Sequence, residues 1–414
     1  MFYGWWIVMS FSVMTLTSTG IRHAVGPFLK PISGDLGLDR ATFSVVIAVS
    51  LFLYGLFGPL TGIILDRIGV RLTASLGTLL LVASLILTGF VRGFWDFALV
   101  YGVLLSLGLA MTGPVVGSGT VARWFNKRRG TALSITASAS MTGMSLLVPA
   151  VTWMILAMGW RMTYIVIGLA VLVVMLPLSI FVLRESPESM GLGVDGGAPE
   201  TASAAAAAAK QRVTAMQAMQ SLAFWQLAGS FFTCGFSMSL LSSHGVPMMT
   251  DHGYTPMFAS WVIGVLGASS IGGTMLLGIV SDRLGRRPVL ASIYGGRILI
   301  FASFFLIRDN PVAMLVVAVL GGITMSGTGS MTSALTADIW GRFSVSRVLG
   351  VIFLVHQVGS AVGSYLAGAI FEATGGYGVM FTIACAFLFG ASLVAMRVDT
   401  GARRIFSPAT VSAS

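Results

Sequence analysis

The chain has 414 residues, 56% hydrophobic and 9% charged, with net charge +10 and mean hydropathy +0.92; a soluble domain carries about 25% charged residues. Such a composition excludes a soluble enzyme, a disordered chain and a secreted disulfide scaffold. Its 51 glycines and 23 methionines suit helices packed closely inside a bilayer.

A bilayer span needs about 20 mainly apolar residues. Twelve segments qualify, at 4–27, 41–65, 71–91, 95–122, 130–157, 161–183, 223–249, 256–280, 288–307, 311–337, 347–371 and 377–397. The apolar runs are long and do not alternate, which excludes strands. The opening MFYGWWIVMSF lacks a basic n-region and a cleavage site, so it is read as a retained span rather than a signal peptide. The first span carries a run of small polar residues, Thr15, Thr17, Ser18, Thr19 and Gly20, leading to Arg22 and His23. That run suggests a cavity wall; the alternative is an early helix end with Arg22 snorkelling to the surface. Thr112, Gly113 and Pro114 interrupt the fourth span, and Gly143 and Pro149 lie in the fifth. Residues 185–222, rich in Gly, Pro, Ser and Ala, form a linker whose part near 205–221 has helix propensity and could lie on the membrane surface. The expected organisation is a bundle of six helices at 1–184, the linker at 185–222, a second six-helix bundle at 223–397 and a tail at 398–414.

Basic residues set the orientation. Seventeen of the 24 fall in one set of loops and the tail, five in the opposite loops, and Arg22 and Arg297 within spans. The positive-inside rule then places both termini in the cytoplasm, expected here to lie beneath an inner membrane. The charge is thus topological, and no nucleic-acid partner is implied. Cys234 and Cys385 lie in apolar runs and are read as small buried hydrophobes, without disulfide or metal.

The segment GIILDRIGVR at Gly62–Arg71 returns as GIVSDRLGRR at Gly278–Arg287, 216 residues later. GWRMTYIVIGL from Gly159 corresponds to GGYGVMFTIAC from Gly375 at the same spacing. Matching punctuation in both halves argues for duplication, a plan that in transporters places a site at the midplane. The repeated G-x-x-x-D-R-x-G-x-R resembles the signature of the major facilitator superfamily. The start YGWWIV, the loop RWFNKRRGTALSI and the stretch HQVGSAVGSYLAG are similar to its oxalate/formate antiporter and monocarboxylate transporter branch. That resemblance implies an all-α membrane fold of twelve transmembrane helices in two six-helix bundles related by pseudo-two-fold symmetry. It also implies that the two loops gate the inner side through Asp66, Arg67, Asp282 and Arg283, with Gly62 and Gly278 allowing close helix contact. The aspartates would pair with basic groups or helix N-termini. Relatives of that branch commonly carry small organic anions. Many place an arginine on the eighth span where this chain has Thr274, and oxalate carriers place a lysine on the eleventh where it has His356.

All 14 acids fall in loops, linker, tail or helix ends, leaving Arg22, His23, His244, Arg297 and His356 as the interior ionisable groups. Intramembrane charges usually face a bundle interior, and a guanidinium without a carboxylate suits an anion, which it holds bidentately. The candidate substrate residues are Arg22, His23, Thr274, Arg297, Ser326, Thr328, His356 and Gln357. His356 is also the candidate proton carrier, since imidazole titrates near neutrality; its alternative is a structural hydrogen bond. For Arg297 a structural tie is the competing reading, and His244 could gate or merely cap its helix. Tyr101 and Tyr164 are packing residues. Neither a P-loop nor an H-E-x-x-H or Cys/His cluster is present, so no cofactor is expected and the protein is not an enzyme.

The expected function is secondary transport of a mono- or dicarboxylate by alternating access, proton-coupled or by exchange, with the lipid bilayer and protons as its other partners and a monomer as its form. Two alternatives stay open. One is an efflux transporter for a drug, arsenical or metabolite, which Met238, Met248 and Met249 would suit. The other is a transporter-like sensor.

Overall fold

Two glycines cut two very long helices into pairs. In the computed structural model, which describes residues 2–125, 128–196, 213–307, 310–325, 327–341 and 344–399, the helix Arg40–Thr88 is broken at Gly69 (φ 80°) and Arg129–Pro177 at Gly159 (φ 78°). Positive φ is the region that glycine enters at no steric cost. Among the described residues the long helices are α1 (Gly4–His23 and Val25–Leu36), α2 and α3 on either side of Gly69, and α4 (Phe94–Phe97, the π-helical Ala98–Leu105, Ser106–Thr112, Pro114–Trp124). Then come α5 and α6 on either side of Gly159, continuing through Leu178–Val182, α7 (Leu222–Asp251), α8 (Pro256–Leu284) and α9 (Arg286–Leu306). The last are α10 (Pro311–Met325 and Gly327–Trp340), α11 (Val345–Thr374) and α12 (Gly378–Met396). Asp39 starts α2 by accepting from the Thr42 amide at 2.6 Å. Thr255 starts α8 by accepting from the Phe258 amide at 3.2 Å, ahead of Pro256; both are ordinary start signals. The expected first span is too short: helical chain continues past residue 27 to Leu36 after an interruption at Ala24. Of the expected surface helix, Ala215–Met219 is helical behind a Thr214–Gln217 capping box, and 197–212 lie outside the described residues.

The duplication is visible in the backbone. Gly37 and Gly253, Gly69 and Gly285, and Gly159 and Gly375 are pairs at the 216-residue spacing, and all six have positive φ. Side-chain contacts repeat too. A Cβ on Gly143 would run into the Leu16 carbonyl oxygen, and one on Gly359 into that of Phe232. Ser18 Oγ lies 3.1 Å from Thr112 Oγ1, and Cys234 Sγ lies 3.0 Å from Thr328 Oγ1. Each partner is displaced by the same 216 residues.

Besides the approach of Gly26 in α1 to the Ser242 carbonyl of α7, the two halves meet along two seams related by the repeat. At one, α2 and α11 approach where a Cβ on Gly368 would strike Ser44. At the other, α5 and α8 are joined by Thr152 Oγ1 and Ser260 Oγ at 2.6 Å. Ser44 and Ser260, and Thr152 and Gly368, are again repeat partners, so the seams are copies of each other. Among the described residues, eight helical stretches are long and apolar enough to cross a membrane, and together they contain α2–α6 and α8–α12. The helices outside that set, α1 and α7, are repeat partners. Their hydroxyl-rich interiors dilute the apolar signal, as expected of walls around a polar site.

Adding a methyl at Gly143 or Gly359 overpacks a helix crossing, at a cost of about 1–3 kcal/mol. Gly278→Ala meets open space. We expect G143A and G359A to lower the melting temperature of the purified protein in detergent and G278A to leave it unchanged or raised. Equal melting temperatures would refute the close crossings.

Candidate functional site

Alpha helices end with exposed carbonyls that favour cations, and Arg22 and His23 occupy the last turn of the first piece of α1. The Arg22 guanidinium lies 5.1 Å from the centroid of the Tyr54 ring on α2. It lines a small cavity with Ser50 and Tyr101 from its own half and Ser242 and Ser243 of α7 from the other. No carboxylate pairs with it among the described residues. His23 is buried, and its Nδ1 lies 2.8 Å from the Thr19 carbonyl oxygen. A carbonyl only accepts, so Nδ1 carries the hydrogen and Nε2 is left as an acceptor.

The second half contributes His356 and Gln357 from α11. His356 Nδ1 sits 2.9 Å from Gln357 Oε1, which by the same reasoning makes Nε2 the acceptor. Its ring lies between Phe231 (4.5 Å) and Phe353 (5.6 Å, parallel). Phe353 in turn meets Tyr54 edge-on at 6.2 Å. Arg22, Tyr54, Phe353 and His356 are therefore successive neighbours from one half to the other. The α2–α11 approach needs Gly55, where a Cβ would come within 2.7 Å of Gln357 Cβ. Gln357 is fully buried, and its Nε2 has no hydrogen-bond partner. An unsatisfied buried donor is costly, and this one lies beside the residue next to Tyr54.

The remaining candidates are placed elsewhere. Thr274 donates to the Ser270 carbonyl on its own helix. Thr328 is buried against Cys234. Arg297 is enclosed in the second half: Nη1 donates to Ser237 Oγ (3.1 Å) and faces Cys234 Sγ (3.5 Å), while Nη2 donates to the carbonyls of Thr324 and Met325. Those bonds bind α7, α9 and α10 together, the competing tie considered above. Ser326 lies outside the described residues. Cys234 is more than a small hydrophobe, because two polar groups hold its sulfur.

One end of the protein is closed by charge. Arg40, at the start of α2, holds Asp251 of α7 bidentately (2.6 and 3.0 Å) and donates to the Tyr377 hydroxyl at 2.8 Å. Its guanidinium stacks 3.7 Å from the Phe371 ring centroid, and its amide donates to Glu372. Lys30 of α1 adds a second cation 2.7 Å from Asp251. His244 continues the network inward. Its Nε2 faces the Ser364 carbonyl and Ser44 Oγ, and its Nδ1 faces the Tyr377 hydroxyl. His244 thus joins the halves and does not cap α7. Burial alone would raise the Asp251 carboxyl, but hydrogen bonds from Arg40 and Lys30 outweigh it and hold the group below the usual carboxylate range. Residue spacing gave no signal for this cluster, because Arg40 and Asp251 are 211 positions apart.

At the opposite end Arg123 joins Asp66 (3.0 Å) in the first half and Glu185 at the start of the linker, and Arg286 joins Asp338 in the second half. Asp66 thus has the basic partner on a neighbouring helix that its motif implied. A Cβ on Gly62, Gly272, Gly278 or Gly350 would have nothing within 4 Å, so the close contact expected at Gly62 and Gly278 is not made. Among the described residues the halves are joined by charge at the Arg40–Asp251 end, and alternating access requires such a seal to part when the other end closes.

Comparison with known proteins follows the same plan. The model of the Major Facilitator Superfamily matches residues 8–310 and 227–411. The chain is 26% identical to the MFS-type transporter YcxA of Bacillus subtilis, over 94% of this chain and 93% of that one. It is 26% identical to monocarboxylate transporter 12-B of Danio rerio, over 96% and 87%. Among solved structures, a D-xylose-proton symporter superposes with TM-score 0.76 at 14% identity, over 97% and 99% of the two chains.

Arg40→Gln and Asp251→Asn should each destabilise the sealed end, and the double variant should lose less than the sum, as for a coupled pair. Because the Asp251 carboxyl is held below its ordinary value, the stability it contributes is complete above about pH 4 and is lost as pH falls through its folded value. Melting temperatures of the four proteins across pH 3–8 read both effects; additive losses would show that the pair is not coupled.

Proposed function

The chain belongs to the major facilitator superfamily and is an integral membrane secondary transporter that works by alternating access; from that premise we propose that its cargo is a small organic anion, a mono- or dicarboxylate. The observation that carries the reading is Arg22, a guanidinium at the junction of the halves that is paired with no carboxylate among the described residues. A carboxylate would supply the missing counter-charge in bidentate form. The unsatisfied Gln357 Nε2 is a donor for a second oxygen. His23 and His356 offer Nε2 acceptors to the site, His356 being the coupling candidate. Monocarboxylate transporter 12-B among the relatives is in keeping with an anionic cargo.

The positive-inside count puts the repeated loops and both termini in the cytoplasm beneath an inner membrane. On this orientation the Arg40–Asp251 contacts form the outer seal. In the cycle, anion binding at Arg22 draws the two halves together around the site. The loops at 66–71 and 282–287 close the inner side while the Arg40–Asp251 contacts part. A single chain holds the complete path, so the monomer is the working unit.

Lactate and oxalate uptake into proteoliposomes, together with thermal-shift screening at pH 5.5 and 7.5, tests the reading, since a ligand selective for the folded state raises apparent stability. Arg22→Gln should cut uptake at least about 10-fold with an unchanged melting temperature. Normal uptake by R22Q would remove Arg22 from the site. Stabilisation by neutral or cationic compounds alone would overturn the anionic cargo and favour export of a drug, arsenical or metabolite.

A further inference from the structure

Arg297 is fully buried, and the spans around it at 223–249, 288–307, 311–337 and 347–371 contain no aspartate or glutamate. Its Nε has no hydrogen-bond partner. A buried cation without an anion is strongly unfavourable. The group able to carry negative charge beside it is the Cys234 thiol, 3.5 Å from Nη1 and held on its other side by Thr328 Oγ1 at 3.0 Å.

The duplication shows that the fold does not require this charge. The repeat partner of Arg297 is Leu81, and that of Cys234 is Ser18. Leu81 packs against Gly108 at the same helix crossing where Arg297 meets Thr324, and Ser18 keeps the same contact to Thr112 that Cys234 keeps to Thr328. One half builds the crossing from leucine and serine; the other puts a guanidinium and a thiol there. The thiol also adjoins the transport site, because α7 and α11 touch at Gly235 and the His356 carbonyl, and the His356 ring is a polar neighbour of Cys234.

We propose that Cys234 is a proton-exchanging member of the transport site, its thiolate serving as the counter-charge of Arg297 and His356 as its proton partner. In the exchange the S–H bond of Cys234 breaks and an N–H bond forms on His356 Nε2, the acceptor left free by the Nδ1–Gln357 bond. The products are a thiolate beside guanidinium and an imidazolium. The imidazolium then passes the proton to water in the open side or to the bound carboxylate, and the reverse path restores the thiol. The other titratable or charged groups facing this pair are Tyr294 of α9 and, across the site, His23 of α1 with Arg22 beside it. The proton's use in transport rests on the reading of the preceding subsection; the ionised pair does not.

The test is the ultraviolet thiolate absorbance of the purified protein titrated from acid to alkaline pH. Cys234→Ser and Arg297→Leu each install the side chain found at the repeat partner, and both are checked for folding by melting temperature. We expect a thiolate signal at neutral pH in the wild type that C234S removes, that C385S leaves, and whose midpoint moves in R297L and in His356→Gln. A wild type with no neutral-pH signal beyond that of C234S overturns the ion pair, and an unmoved midpoint in H356Q overturns the proton exchange. In proteoliposomes with lactate as probe, C234S should lose about 10-fold or more of pH-driven accumulation. Accumulation at wild-type level overturns the transport role. If lactate is carried by no variant, the anion reading fails for that probe, while the absorbance titration still decides the pair.

Discussion

A bilayer interior offers no water, so every polar group inside it must find a partner within the protein. Many hydroxyls obey by bonding back along their own helices, as Thr17 does to Val13, Thr120 to Val116 and Thr336 to Thr332. The carboxylates obey by staying at helix ends. Among the buried groups left without a hydrogen-bond partner are Gln357 Nε2 and Arg297 Nε, and Arg22 is uncompensated by any described carboxylate. In the proposed cycle they are the places where an anion or a proton would supply the missing partner.

The same constraint shapes how the halves meet. Polar interactions between them concentrate at one end, where Arg40, Lys30, Asp251 and Tyr377 can reach water or one another. Farther along, the seams use glycine and hydroxyl contacts at Gly368–Ser44 and Thr152–Ser260. Such surfaces let one half tilt on the other at little cost, whereas an interlocked apolar surface would resist. The charged end can then hold a conformation without freezing the molecule in it.

Much of this was legible in the residues. The twelve apolar runs marked the helices, and the 216-residue spacing of two glycine-rich loops marked the duplication, because both are local patterns. Arg22 was legible as an interior cation on a hydroxyl-rich helix. The sealed end was not, since Arg40 and Asp251 looked like separate loop charges and their meeting depends on how two bundles pack. Cys234 looked like a hydrophobe because its neighbours in the chain are apolar; its chemistry comes from Arg297 and Thr328, which are far away in sequence. Helix lengths were underestimated at α1, where polar residues extend the helix beyond its apolar run to Leu36.

The groups of the charged seal are only partly shielded; the side chains of Lys30 and Asp251 are 41% and 26% exposed. Their attraction therefore runs partly through solvent, where dissolved ions damp it over a Debye length of roughly 8–10 Å. The balance between the two conformations then belongs to the surroundings as much as to the polypeptide. In the proposed cycle the electrolyte bathing that face would control how often the carrier opens toward it, with dilute media holding it shut and brine loosening it.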